Sequence, residues 1–240
     1  MKFLKIFLFS LFSTVIGSNN IINSPNNTIL LNTTNFINLQ GPITEESAAK
    51  FILDLNLFDR KSRSNKVVYI DSPGGSVLAG VKIIDQIEKY QMSCIASKAI
   101  SMGFVIFQSC HNRLVTSSSQ LMQHQISFGI KDEIRKIESH LDFIQQIEDQ
   151  LVDIQIQKMN ISKAYFNQLI NDEWWTYGLN NLIDYPKLAD KLISVECSKE
   201  LTQKKIYLDK KYSKEVWSGC PLITIPLEII GKEQSKHFFF

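Results

Sequence analysis

Apolar positions along this chain change period several times, and the changes lay out its elements. Ile37 and Leu39 alternate with Asn38 and Gln40 until Gly41, the pattern of a half-buried strand over 36–41. Thr44, followed by Glu45, Glu46 and Ser47, is a helix start, and Ala48, Phe51, Ile52 and Leu55 continue it as a helical stripe. Residues 59–65 are polar and read as a linker. Residues 67–70 are a buried strand ending in the turn Asp71-Ser72-Pro73-Gly74-Gly75-Ser76, and 77–90 is a helix with Val81, Ile84 and Ile87 on one face. A short strand over 94–96 precedes the apolar run 98–108, which turns into a helix at Ser101. Two further short strands, 113–116 and 120–122, follow, and His124 stands just past the second. Strand and helix alternate from 36 to about 110, which predicts βαβ units and a mainly parallel sheet with right-handed crossovers. Active groups in such sheets gather where strands end and helices begin.

Beyond His124, Ile134, Ile137, Leu141, Ile144, Ile147, Leu151 and Ile154 recur at spacings of three and four, predicting one helix over 131–159. A helix of about 29 residues, roughly 43 Å at about 1.5 Å per residue, outruns a compact domain. Its stripe either packs on another copy of the chain, making a homo-oligomer, or lies along its own domain; periodicity does not separate the two. Residues 161–170 read as a further helix and 171–178 as a loop. In that loop Asp172 and Glu173 precede Trp174 and Trp175, which suits a partly dry carboxylate as well as a helix cap or a solvated acid. Residues 185–193 close the body; a Lys-rich segment and a strand-like stretch over 221–227 follow, and Phe238, Phe239 and Phe240 end the chain without an assigned role.

The N-terminus changes the picture. Lys2 and Lys5 flank the start of an apolar run over 6–16, and Gly17-Ser18 supplies small residues after it, the layout of a secretory signal peptide over 1–18. The alternative is an uncleaved membrane anchor over 3–17; either way the body stands outside the cytoplasm, periplasmic or secreted. Residues 19–35 are polar and Asn-rich, a flexible leader. Four cysteines, Cys94, Cys110, Cys197 and Cys220, suit an oxidising compartment and allow three pairings. Sequence neighbours suggest Cys94 with Cys110 and Cys197 with Cys220; four buried thiols are the alternative. No Cys-x-x-Cys occurs and the histidines are scattered, so a metal site is not expected. A net charge of +2, with Lys and Glu intermixed, gives no case for nucleic acid. At 240 residues there is room for one well-buried domain and an appendage.

Ser101 carries the chemistry. A serine where a strand hands over to a helix sits beside unpaired backbone N–H groups able to receive a developing anion, and Gly103 lets another backbone come close. On its own this pattern reads first as an ordinary helix N-cap. Three stretches taken together, Ser72-Pro73-Gly74-Gly75, Ile100-Ser101-Met102-Gly103 and Met122-Gln123-His124-Gln125, resemble the peptidase subunit of the Clp protease family over 36–193, within the ClpP/crotonase-like superfamily. The resemblance implies an α/β fold, a mainly parallel sheet of βαβ units with a long protruding helix, and a serine endopeptidase needing neither cofactor nor metal. It implies Ser101 as nucleophile, with Ile100 in place of the family's alanine, and His124 as general base. It also implies the N–H groups of Gly75 and Met102 as an oxyanion hole. Asp172 matches the third triad member, with Trp174 and Thr176 behind it and Asp190 closing the motif; Glu173 is its nearest competitor.

Some features depart from the family. The Gly-rich segment after the base is shortened to Ile126-Ser127-Phe128-Gly129, without the family's proline. An exported chain would have no ATP-driven unfoldase to serve, so its substrates would be peptides or unfolded proteins. Exported relatives of the superfamily use a Ser–Lys pair, and Lys98 lies three residues before Ser101, though His124 occupies its expected place. Two other readings stand beside the peptidase: a catalytically silent peptide-binding or assembly subunit, and a crotonase-like acyl-CoA enzyme. On this reading the domains are 1–18, 19–35, 36–193 for the peptidase body, and 194–240 as a C-terminal extension.

Overall fold

A computed structural model describes residues 27–231, apart from 59, 128, 130, 183, 184 and 212. The signal-peptide segment and the closing phenylalanines lie outside the described residues. In chain order the elements are β1 (Thr28–Leu31), β2 (Phe36–Gln40), α1 (Glu45–Leu57), β3 (Val67–Ser72), α2 (Val77–Tyr90), β4 (Ser93–Ile100), α3 (Met102–Gln108) and β5 (Arg113–Gln123). They continue with α4 (Ile134–Met159), α5 (Lys163–Leu169), β6 (Trp174–Tyr177), β7 (Lys191–Leu192), β8 (Ser194–Cys197), α6 (Lys199–Gln203), β9 (Lys205–Asp209), β10 (Ser213–Ser218) and β11 (Glu228–Gly231).

The central sheet has the order β2-β3-β4-β5-β6. Its first four strands run parallel, β6 pairs antiparallel with β5, and β7 adds a short parallel pairing to β5. This is the mainly parallel α/β sheet expected of the βαβ pattern. Parallel strands covered on both faces read as unbroken apolar runs, and β3 shows why: its alternate residues serve two different layers. Val68 and Ile70 pack with α1, α2 and α3 in the larger core, whereas Val67 and Tyr69 join Ile29, Leu31 and Ile193 in a second core on the opposite face. That second face is covered by β1, which pairs in parallel with β8. Thr28–Leu31, within the segment read as a leader, is therefore a strand under the sheet, held by residues beyond 193.

Local signals place the helices as anticipated. Thr44 and Ser47 form a reciprocal capping box at α1, and Ser76 caps α2 by accepting a hydrogen bond from the Ala79 N–H. The helix expected over 131–159 runs from Ile134 to Met159, 26 residues and about 39 Å at about 1.5 Å per residue. Its two halves differ. Leu151, Val152 and Met159 are buried in the larger core, while Ile134 and Phe143 stand exposed.

Several elements differ from expectation. The two strands expected over 113–122 are one, β5, whose pairing with β4 slips between Ala96 and Lys98. Ser119 makes the slip tolerable: its Oγ donates to Ala96 O at 2.6 Å and accepts from the Thr116 N–H at 2.7 Å. The expected loop at 171–178 contains β6, and the expected linker at 59–65 contains a 3-10 turn at Arg60–Asn65. In the C-terminal extension β9, β10 and β11 form an antiparallel sheet ordered β11-β10-β9, and the strand expected over 221–227 is absent, that stretch lying between β10 and β11. Two disulfides are present, Cys94–Cys110 and Cys197–Cys220, with Cα separations of 5.9 and 5.8 Å. The first ties the start of β4 to the segment just after α3.

Candidate active site

Ser101 occupies the junction of β4 and α3. Its N–H donates to Met122 O at 2.9 Å, and its own carbonyl accepts from Phe104 N and Val105 N, so its backbone is fixed from both sides. It is held at φ 54° and ψ −121°, a region an L side chain rarely adopts and one that recurs where a fold stores strain at functional sites. As the N-cap of α3, Ser101 makes no side-chain capping bond. Its Oγ lies instead 2.8 Å from Nε2 of His124. The ordinary N-cap reading of Ser101 is thus set aside by where its hydroxyl goes.

His124 follows the last residue of β5, and its N–H lies beyond the ladder between β5 and β6, which ends at Gln123 opposite Trp174. The parallel register of β4 and β5, with Ile100 opposite Met122, carries the two residues to the same end of the sheet. Twenty-three residues of separation along the chain are closed by adjacent strands.

The Ser-Pro-Gly-Gly turn meets them there. Ser72 anchors it: the buried hydroxyl donates to Gly41 O at 2.8 Å and accepts from the Gly74 N–H at 3.1 Å. Ile43 N donates to Gly74 O and Ser76 N to Ile43 O, both at 2.8 Å, which stitches the turn to the segment before α1. Gly74, at φ +89°, lies so near the serine that a Cβ there would sit 2.8 Å from Ser101 Cβ. Glycine is the residue that such an approach admits. Among the described residues no acceptor is bonded to the N–H of Gly75 or of Met102. Both residues line the same cleft as Ser101 and His124. Two unpaired amide donors beside a hydroxyl in contact with an imidazole can polarise a carbonyl while it is attacked.

The cleft encloses about 80 Å³, and Val105, Leu151, Val152, Phe166 and Ile170 form its apolar wall. A second, open groove of about 280 Å³ shares Gly75, Val77, Ile126 and Ser127 with it and runs on to Phe143, Ile144 and Ile147 of α4. Lys98, the other candidate base, forms an ion pair with Asp71 at 3.4 Å.

Among the described residues neither acidic candidate is hydrogen-bonded to the pair. Asp172 is exposed at the turn before β6. Glu173 accepts a hydrogen bond from Nε1 of Trp175 at 2.9 Å. Among the described residues no carboxylate hydrogen-bonds His124. Asp190, matched in sequence to the close of the motif, is committed elsewhere. Its carboxylate takes Nε, Nη2 and the backbone N–H of Arg113 at 3.1, 2.9 and 2.8 Å. Two residues that sequence reasoning passed over also reach the site. Gln123 and Gln155, buried side chains in the cleft wall, are hydrogen-bonded to each other at 2.6 Å. Their only sequence signal is an amide within otherwise apolar segments.

A sequence model of the Clp protease family matches residues 23–193. The chain is 29% identical over 161 residues to the ATP-dependent Clp protease proteolytic subunit 1 of Chlamydia muridarum, covering 64% of this chain and 83% of that protein. It is also 29% identical over 142 residues to the protein of the same name from Chlamydia pneumoniae, covering 56% and 74% of the two chains. The matching protein of Chlamydia trachomatis serovar D is 28% identical over 161 residues.

Proposed function

The chain belongs to the Clp protease family, and we propose that it is a serine endopeptidase in which Ser101, His124 and Asp172 hydrolyse peptide bonds. The observation that carries the reading is the 2.8 Å contact between Ser101 Oγ and His124 Nε2 beside two unpaired backbone N–H groups. His124 Nε2 takes the hydroxyl proton as Oγ attacks the peptide carbonyl carbon. The oxyanion that forms is received by the N–H groups of Gly75 and Met102, an interaction worth about 10²–10³ in rate per donor. His124 then returns the proton to the leaving amine, and water repeats the sequence on the acyl-enzyme. Asp172 holds the imidazole tautomer and stabilises the imidazolium. What supports that role is the antiparallel pairing of Gln123 with Trp174, which brings the segment holding Asp172 to the end of β5, the strand that His124 follows. The small apolar cleft takes one substrate side chain, and the groove toward α4 takes the neighbouring stretch of peptide.

Two features favour action without an ATP-driven unfoldase. The signal-peptide layout of 1–18 and the two disulfides suit an exported protein, periplasmic or secreted, where ATP is absent. The substrates are then peptides and already unfolded chains. The exposed half of α4 supports self-association. A crotonase-like acyl-CoA activity would need neither Ser101 nor His124, and their contact favours the peptidase. The test is a fluorophosphonate applied to the purified protein. It labels Ser101, and Ser101→Ala abolishes both labelling and ATP-free peptide hydrolysis while leaving thermal unfolding unchanged. A folded wild-type protein that never labels would leave the silent subunit as the reading.

A further inference from the structure

The general base sits where the sheet stops supporting the chain. His124 lies one residue past β5, its N–H has no ladder partner, and residues 124–127 belong to no strand or helix. What holds it is a row of side-chain amides. The His124 N–H donates to Gln123 Oε1 at 3.2 Å, Gln123 Nε2 donates to Gln155 Oε1 at 2.6 Å, and Gln155 Nε2 donates to Leu151 O at 2.9 Å. Both glutamines are nearly inaccessible, 5% and 2% exposed, beside the buried Leu151, Val152, Phe166 and Ile170 of a cleft that Glu148 also lines. A buried amide without a partner is costly, so each holds the other in one orientation. From this we infer that Gln123 and Gln155 are positioning residues for catalysis: the amide row fastens the backbone of His124 to the buried half of α4, and so fixes the distance from Nε2 to Ser101.

The inference rests on the reading of Ser101 and His124 as nucleophile and base, and it makes a claim of its own. Gln123 at the end of β5 and Gln155 on α4 are 32 residues apart in sequence, and their bond is a polar link between the two elements beside the base. Methionine is close in shape to glutamine and packs in an apolar wall but cannot continue the row. In Gln155→Met, Gln123 loses its acceptor and His124 N–H loses a fixed partner. The imidazole then departs from the serine.

The experiment measures the fluorophosphonate labelling rate of Ser101 for the wild type, Gln123→Met, Gln155→Met and the double variant, with thermal unfolding of each. The expected result is a labelling rate at least tenfold below wild type in every variant. The double variant, in which no amide is stranded, unfolds closer to wild type than either single one yet stays slow. A role confined to packing would restore the rate along with stability. Wild-type rates in a folded Gln155→Met or double variant overturn the inference and leave the peptidase reading intact. Should one single variant fail to fold, the double variant decides. A wild-type protein that does not label removes the peptidase reading itself, and the positioning role with it.

Discussion

Gly74→Ala tests whether the turn after β3 sets the position of the nucleophile. A methyl group at this position would meet Ile100 O at 2.6 Å, Ser101 Cβ at 2.8 Å and Met102 N at 3.0 Å. Carbon atoms rest at about 3.5–4.0 Å, so Ser101 Cβ has to retreat by roughly 0.7–1.2 Å. A displacement of about 1 Å in a reacting group costs on the order of 10² in rate. The backbone strain is separate: φ +89° in an L residue costs about 1–2 kcal/mol, which lowers Tm by about 2–8 °C for a chain of this size. Gly41→Ala isolates that second effect, because Gly41 has nearly the same φ, +85°, with open space where its Cβ would lie. Both variants are therefore expected to melt a few degrees early, and only Gly74→Ala to lose about 10² in fluorophosphonate labelling and in peptide kcat/KM. If Gly74→Ala labels as fast as Gly41→Ala, the close approach to Ser101 has no catalytic consequence and the reasoning fails.

Three further outcomes are expected. Asp172→Asn lowers kcat by at least tenfold, up to about 10⁴, while Glu173→Gln, whose carboxylate accepts from Trp175, leaves steady-state peptide hydrolysis near wild type; the reverse order assigns the role to Glu173. Asp190→Ala leaves the 2% exposed Arg113 without its carboxylate, which costs about 3–5 kcal/mol and is read by denaturant unfolding at neutral pH. Burial pushes the Asp190 carboxyl up, but the hydrogen bonds and charge of Arg113 outweigh it and hold it well below the ordinary range. Its contribution is thus complete above the unfolded pKa of about 3.9 and fades as pH falls below it, so the wild type loses its advantage over the variant on the acid side. Ile134→Asp together with Phe143→Asp, on the exposed half of α4, shifts sedimentation toward the monomer; an unchanged sedimentation coefficient would place any self-association elsewhere.

Much of the fold could be read from sequence because its elements are locally determined. The capping box at Thr44, the serine cap at Ser76 and the apolar run of β3 each specify structure within a few residues, and the parallel sheet follows from their alternation. Where sequence misled, long-range pairing overrode local pattern. Ser117, Ser118 and Ser119 look like a break between strands, yet Ser119 substitutes its hydroxyl for a ladder bond and β5 continues. Trp174 to Tyr177 was legible in principle, since aromatic and β-branched residues favour strands, but the preceding Asn171-Asp172 points to a loop. In the C-terminal extension every residue of β9 is exposed, so no alternation betrays the strand. The stretch 221–227 carries Pro221 and Pro226, which cannot donate to a ladder.

The site divides along the same line. Ser101, His124 and the Gly-Gly turn each sit at the end of an element whose identity is local, so motif spacing and sheet register together predict that they meet. The supporting residues do not sit there. Asp190 and Arg113 are 77 positions apart, and Gln123 and Gln155 are 32 apart; each partner alone is an unremarkable polar residue in an apolar neighbourhood. What distinguishes them is burial, and burial is a property of the folded whole. A buried guanidinium or amide demands a partner at a definite distance and angle, so such pairs fix how β5 sits against the segments that follow it. Arg113 fixes one end of that strand, through Asp190. Gln123 fixes the other, through Gln155, at the end where His124 must meet Ser101. On the proposed reading the orientation of His124 is therefore set by two amides, one at the variable position of its own motif and one, Gln155, outside all three motifs.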